Sequence, residues 1–281
     1  KIIITEYRLP YMHLSEYKRI EKFEKIHFWY RAMEELTLKT LERYRGTTCL
    51  PAGRALISTR INLPVRQAGA EKPIKILDAG CGTGGVIERL AMFGQVTGAD
   101  INPVALNYAR AKNIKKLIEA SVCELPFNDN SFDLVVCLDD LYHKMVEDNK
   151  ALSEFYRVLK DNGLVLIRVP AFEFLRGSHD IIVETRHRYT TSELKEKMER
   201  AGFKIEKITY ANMLLSIPLF IKRITERLKK KHQSHSDTYL LPNLINTLFY
   251  WYLKLENSLL NYFNLPFGSS VIVVARKRPE K

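Results

Sequence analysis

Long uncharged apolar runs are scarce in this chain. The two best candidates, 211–221 and 238–253, fall short of a bilayer's thickness, and the second contains Pro242, Asn243 and Asn246, which argues against a membrane-spanning helix. Cysteine is scarce too. Cys49, Cys81, Cys123 and Cys137 form no Cys-x-x-Cys pair, which speaks against a disulfide scaffold and for a reduced, cytoplasmic setting. The N-terminal region is charged and aromatic, lacks a basic start followed by an apolar block, and so predicts no secretory signal peptide. Asp and His residues show no recognisable metal spacing, so no metal is expected, and no segment repeats. Acid is in deficit. Lys and Arg number 44 against 32 Asp and Glu, a net charge of +12. Such an excess favours anionic surroundings (nucleic acid, acidic lipid headgroups or a phosphorylated substrate), although it also serves plain solubility.

What the chain does have is a strand that runs into a glycine-rich loop. Lys75-Ile76-Leu77-Asp78 leads to Ala79-Gly80-Cys81-Gly82-Thr83-Gly84-Gly85, which opens a helix. Glycines let a backbone approach a ligand closely, and a helix N-terminus offers unpaired N–H groups. A second strand, Gln95–Asp100, ends in a carboxylate about 20 residues beyond the first acid, where a ribose-binding acid is expected. Gly80-x-Gly82-x-x-Gly85 also fits a dinucleotide fingerprint, so the loop alone leaves NAD open. Tyr156 and Lys160 match the Tyr-x-x-x-Lys pair of dehydrogenases, but on an amphipathic helix they read as a core residue and a C-terminal charge.

The rest of the chain alternates strand and helix, which predicts an α/β, Rossmann-like, doubly wound sheet. Strands are expected at 74–78, 95–100, 117–121, 132–138, 163–169, 204–211 and 270–276. Helices are expected at 84–93, 103–113, 149–160 and 191–201, the last capped by Thr190, Thr191 or Ser192 and closed by Gly202. Residues 15–45 read as one amphipathic helix in an N-terminal cap segment, 1–45. Segment 46–73, with three prolines and three glycines, reads as a linker. The cofactor domain then covers 74–211, an apolar and basic insertion covers 212–268, and 269–281 holds the last strand and tail.

Together these segments resemble a known family. Ile76-Leu77-Asp78-x-Gly80-Cys81-Gly82-Thr83-Gly84, Asp100, Leu125-Pro126-Phe127 with Ser131-Phe132-Asp133-Leu134-Val135, and Arg157-Val158-Leu159-Lys160-x-x-Gly163 are similar, in order and spacing, to class I S-adenosylmethionine-dependent methyltransferases of type 11. Val169-Pro170-Ala171-Phe172, His179-Asp180, Arg188-Tyr189-Thr190, an aromatic segment His27–Arg31 and Leu265-Pro266-Phe267-Gly268 resemble a subgroup associated with glycan and glycolipid biosynthesis. The resemblance implies a seven-stranded sheet with its last strand antiparallel. It also implies a helical cap built from the N-terminal segment and the insertion.

The resemblance further implies S-adenosyl-L-methionine as cofactor. Gly80, Cys81, Gly82 and Gly84 would pack against its methionine part, with Asp78 at the amino or loop end. Asp100 would accept from both ribose hydroxyls, and Ile101, Val122 and Leu138 would cover the rest. Ser121 stands where the family usually has an acid for the adenine amino group, a departure that weakens the expected grip on adenine. Methyl transfer to a hydroxyl needs a base. The candidates are His143, past the fourth strand, and His179 beside Asp180, past the fifth. Trp29, Tyr30, Arg188 and Tyr189 are assigned to the acceptor.

The expected activity is O-methylation of a glycan, lipid-linked sugar or hydrophobic small molecule. An RNA methyltransferase and a non-catalytic cofactor-binding protein are the rivals. Nucleic acid is disfavoured, because no Asn-Pro-Pro-Tyr-type motif and no RNA-binding module is recognisable. Two readings of the insertion stand side by side: a cap over the cofactor domain, or a face bearing Phe249, Trp251 and Tyr252 that rests peripherally on the inner membrane surface near the basic run 227–232.

Overall fold

A computed structural model describes residues 14–45, 73–228 and 239–279. Most of the expected linker, the run Lys229–Lys231 and Cys49 lie outside the described residues. Two N-terminal helices, α1 (Leu14–Phe23) and α2 (Phe28–Arg45), precede the sheet. Its strands are β1 (Ile74–Ala79), β2 (Gly94–Asp100), β3 (Leu117–Glu119), β4 (Phe132–Leu138), β5 (Leu159–Pro170), β6 (Phe203–Ala211) and β7 (Ser270–Lys277). Between them lie α3 (Ile87–Leu90), α4 (Pro103–Ala111), α5 (Asp148–Val158), α6 (Ser178–Ile182), α7 (Thr191–Arg200), α8 (Met213–Leu228) and α9 (Asn243–Leu259).

The strand order is β3-β2-β1-β4-β5-β7-β6. β1 pairs in parallel with both β2 and β4, whereas β7 runs antiparallel to β5 and β6. The sequence expectation for the fold class therefore holds, last strand included. Strands in the middle of such a sheet bury both faces, which explains their nearly unbroken apolar runs. On β4, Val135 and Cys137 join Phe155 of α5 on one side, while Leu134 and Val136 join Leu38 and Leu41 of α2 on the other. The strand order reverses between β1 and β4, so the loops leaving their C-terminal ends part there and open a crevice.

The motif around Leu125-Pro126-Phe127 has a physical reason for accompanying Arg157. The guanidinium donates to the carbonyls of Leu125 and Phe127 at 2.9 and 2.7 Å, and Glu154 accepts from the Leu125 N–H at 2.7 Å. Thr190 is the cap of α7, its hydroxyl accepting from the Glu193 N–H at 3.2 Å.

Three helix expectations need correction. The helix expected at 84–93 is confined to Ile87–Leu90, its start taken up by turns of the glycine loop. The helix expected at 149–160 ends at Val158, and Lys160 lies on β5, where its ammonium donates to Asp133 at 2.7 Å. The single helix expected over 15–45 is broken between Phe23 and Phe28. There the imidazole of His27 accepts from the Trp29 N–H at 3.2 Å, and Asn246 of α9 accepts from the Phe28 N–H at 2.9 Å. These bonds supply acceptors for two of the donors that a helix start leaves unpaired. Burial pushes the His27 pKa down to about 4, which keeps the ring neutral and able to accept.

Candidate active site

The crevice between β1 and β4 opens into one cavity of about 700 Å³, bounded by the glycine loop, the N-terminal helices, the loop after β4, α6 and α8. This is ample for a small-molecule site. At one end the N–H groups of Gly80 and Cys81 both donate to the Ala99 carbonyl, at 2.8 and 3.0 Å, which turns the chain sharply after β1. Gly82 has φ of +51°, and a Cβ added there would stand in open space beside the loop. The Asp100 carboxylate accepts from the Gly82 N–H at 2.7 Å through one oxygen and from the Asn102 N–H at 2.8 Å through the other. Each oxygen retains a lone pair for a further donor.

The N-terminal helices close over this end. Asn102 donates to the Tyr17 hydroxyl at 3.0 Å, and Glu24 accepts from the Thr83 hydroxyl at 2.9 Å and pairs with Lys112. Ile101, Ser121, Val122 and Leu138 line the wall. The Ser121 hydroxyl also accepts from the Cys123 N–H at 3.1 Å, which closes its own turn.

Electrostatics set this pocket apart. Asp78 is 3% exposed, and burial followed by the charges of Asp100 and Asp140 pushes its pKa up to about 7. Asp100 and Asp140 are pushed up in the same way, by burial first and neighbouring carboxylates second. Like charges held this close disfavour the ionised form of each, a penalty that a bound cation would relieve. In the ligand-free protein, Asp78 lowers stability as pH rises. The unfolded chain loses that proton near pH 4 and the folded chain near 7, so the loss is absent below 4 and complete above 7. It amounts to roughly 4 kcal/mol for a shift of this size. Thermal unfolding of the wild type and Asp78→Asn across pH 5–8 checks this: the variant is expected to show a visibly shallower decline. Equal slopes would refute it.

The other end of the cavity is built by the turn after β4. Asp139 adopts a left-handed φ of +57°, uncommon for a residue with a Cβ, and this swings the chain across the crevice. Arg168 of β5 holds Asp139 through Nε and Nη2 at 2.9 and 2.6 Å, and its guanidinium lies 5.2 Å from the Trp29 ring centre. Trp29, Tyr30, Tyr142, His143 and His179 line the same space. His143 stacks on Tyr142 at 4.5 Å, and burial lowers its pKa, so the ring is neutral at physiological pH. It lies near enough to Asp100 to feel that charge.

Several expectations for the site need correction. Gly84 does not line the cavity. It faces α4 and the turn after it, where a Cβ would meet Ala109 and Ile114. Tyr189 is fully buried, its hydroxyl 3.1 Å from Asp148, and lies outside the cavity wall. Asp180 and Arg188 do border the cavity, but they are spent on each other, with Nε and Nη2 of Arg188 at 2.8 and 3.0 Å from the Asp180 carboxylate. Asp180 also accepts from the Gly177 N–H at 2.8 Å, so the pair braces α6 and does not present a free acid beside His179. Sequence reasoning missed Asp140, Arg168 and Glu24. Arg168 had left a signal: a charged side chain inside an apolar strand is rarely buried without a partner.

Comparison with known proteins bears on the domain and the fold. Residues 77–167 match the Methyltransferase domain family. An uncharacterized protein of Methanocaldococcus jannaschii is 30% identical over 168 residues, covering 59% of this chain and 70% of the relative. The ubiquinone/menaquinone biosynthesis C-methyltransferase of Shewanella halifaxensis is 28% identical over 190 residues, covering 53% of this chain and 73% of that protein. Among solved structures, an S-adenosylmethionine-dependent methyltransferase from Thermotoga maritima shares the fold, with a TM-score of 0.54 at 16% identity over 95% of this chain and 100% of that one. With a methyltransferase domain over residues 77–167 and the class I fold around it, the chain is an S-adenosylmethionine-dependent methyltransferase.

Proposed function

We propose that the protein methylates an oxygen of a glycan, lipid-linked sugar or hydrophobic small-molecule acceptor, and that His143 takes the acceptor's proton. The donor set suits the cofactor. Asp100 offers two acceptor oxygens to a ribose diol, Gly82 leaves room for a ligand against the loop, and Asp78 and Asp140 form a carboxylate cluster that favours a ligand with cationic groups. When bound, S-adenosylmethionine supplies an electrophilic methyl group on a sulfonium. The protein's part is alignment and removal of a proton.

The observation that carries this reading is the position of His143. A neutral imidazole in the wall of the cavity, stacked on Tyr142, close to Asp100 and hydrogen-bonded to the Val183 and Asp139 backbones, can receive a hydroxyl proton beside the cofactor end. Arg168, bonded to Asp139 and lying beside the Trp29 ring, would orient an acceptor oxygen or an anionic group next to it. The Shewanella halifaxensis relative supports a second reading, methylation of a ring carbon of a quinone-type acceptor.

Transfer of labelled methyl from S-adenosylmethionine into fractionated extract, with Asp100→Ala as blank, tests the proposal. Label in an alkali-stable product of the lipid or glycan fraction is expected. Label on a quinone ring would favour the second reading, and label in RNA would overturn both.

A further inference from the structure

We infer that the outer face of the α8–α9 pair is a docking surface for an anionic membrane. The two helices are antiparallel neighbours: the Leu214 N–H at the start of α8 donates to the Tyr252 hydroxyl, and Lys222 further along α8 bonds to Tyr239, just before α9. Leu214, Ile217, Ile221, Ile224 and Leu228 form an exposed stripe on α8. On α9, Leu244, Leu248, Trp251, Leu255 and Leu259 do the same. Spacings of three and four residues place each set on one helix face. Apolar exposure of this extent, on two adjacent helices, is more than a monomeric surface ordinarily leaves to water.

The structure also corrects which aromatics take part. Phe249 packs on Phe28, with ring centres 5.3 Å apart, and the Tyr252 hydroxyl bonds inward to Glu256, so of the three expected aromatics Trp251 alone is strongly exposed. No helix among the described residues is long and apolar enough to cross a membrane. The pair would lie on a surface, not span it.

Charge selects the occupant. The carboxylates on these helices are engaged, Glu226 with Arg223 and Glu256 with the N–H groups of Asn212 and Met213, while Lys254 lies over the exposed Trp251 ring at 4.8 Å and Arg227 is exposed. The chain carries +12 overall, so a second copy meets like charge whereas an acidic bilayer meets opposite charge. The inner side of α8 points the same way: Leu215, Leu219 and Lys222 line the cavity whose far end holds the glycine loop. One helix thus separates the apolar face from the acceptor end of the active site. A hydrophobic acceptor leaving the bilayer would have a short route to it.

This inference stands apart from the identity of the acceptor, because vesicle binding is read without methyl transfer. Co-sedimentation of the full chain with phosphatidylcholine vesicles, with and without phosphatidylglycerol, is the test. Binding is expected only with the anionic lipid, falling as salt is raised. The variant Leu248→Glu, Trp251→Glu, Leu255→Glu should bind at least about tenfold less tightly. Its cofactor affinity should be unchanged, which shows that it folds. Failure to bind anionic vesicles would overturn the inference, as would equal binding by the variant. A concentration-dependent dimer that the same substitutions dissolve, with no vesicle binding, would assign the face to a second copy.

Discussion

Replacing His143 with alanine is expected to lower kcat by about 10²–10⁴, the range that a positioned general base supplies. The cofactor's Kd should hardly change, since Asp78, Asp100 and the glycine loop keep their geometry. The backbone bridge of residue 143 to Thr185 is kept, while the ring's own hydrogen bonds to the Val183 and Asp139 backbones are lost. A purely packing role would show as lost stability with kcat retained. The pH profile separates the two further. Burial holds the imidazole pKa below its ordinary value, so the wild-type rate should rise with pH through that lowered value and then level. The variant should lack that acidic limb, and added imidazole should restore part of the rate. An unchanged kcat would move the proton acceptor to His179, which lines the same cavity.

The second large effect is expected at Asp100. Its two oxygens tie the Gly82 and Asn102 N–H groups together and face the ligand space. Asp100→Ala removes an acceptor-only group from both jobs at once. Charge-assisted hydrogen bonds of this kind contribute about 1.5–3 kcal/mol each, so losing two toward the cofactor weakens binding by roughly 10²–10⁴. Asp100→Asn is the sharper experiment. It keeps the volume but turns one oxygen into an NH₂, which must then confront a backbone N–H that also donates. We expect its Kd for S-adenosylmethionine, measured by titration calorimetry, to rise nearly as much as that of the alanine variant. A near-native Kd for Asp100→Asn would mean that neither the loop nor the ribose needs the carboxylate.

The correspondence between sequence and structure is closest where chemistry is local. Each of the seven expected strands has a counterpart, although β5 begins at Leu159 and not at 163, because buried strands demand nearly continuous apolar runs, and the glycine loop with Asp100 demands particular residues at fixed spacing. Those same features carried the cofactor. Tertiary structure decided the rest. The break at His27 depends on Asn246, more than 200 positions away. Asp180 became a brace because the fold set Arg188 against it, and Arg168 entered the site because β5 ends beside β4. Whether an aromatic on α9 faces Phe28 or water is equally a matter of packing. Periodicity tells which residues share a face, but only the assembled protein decides what that face meets.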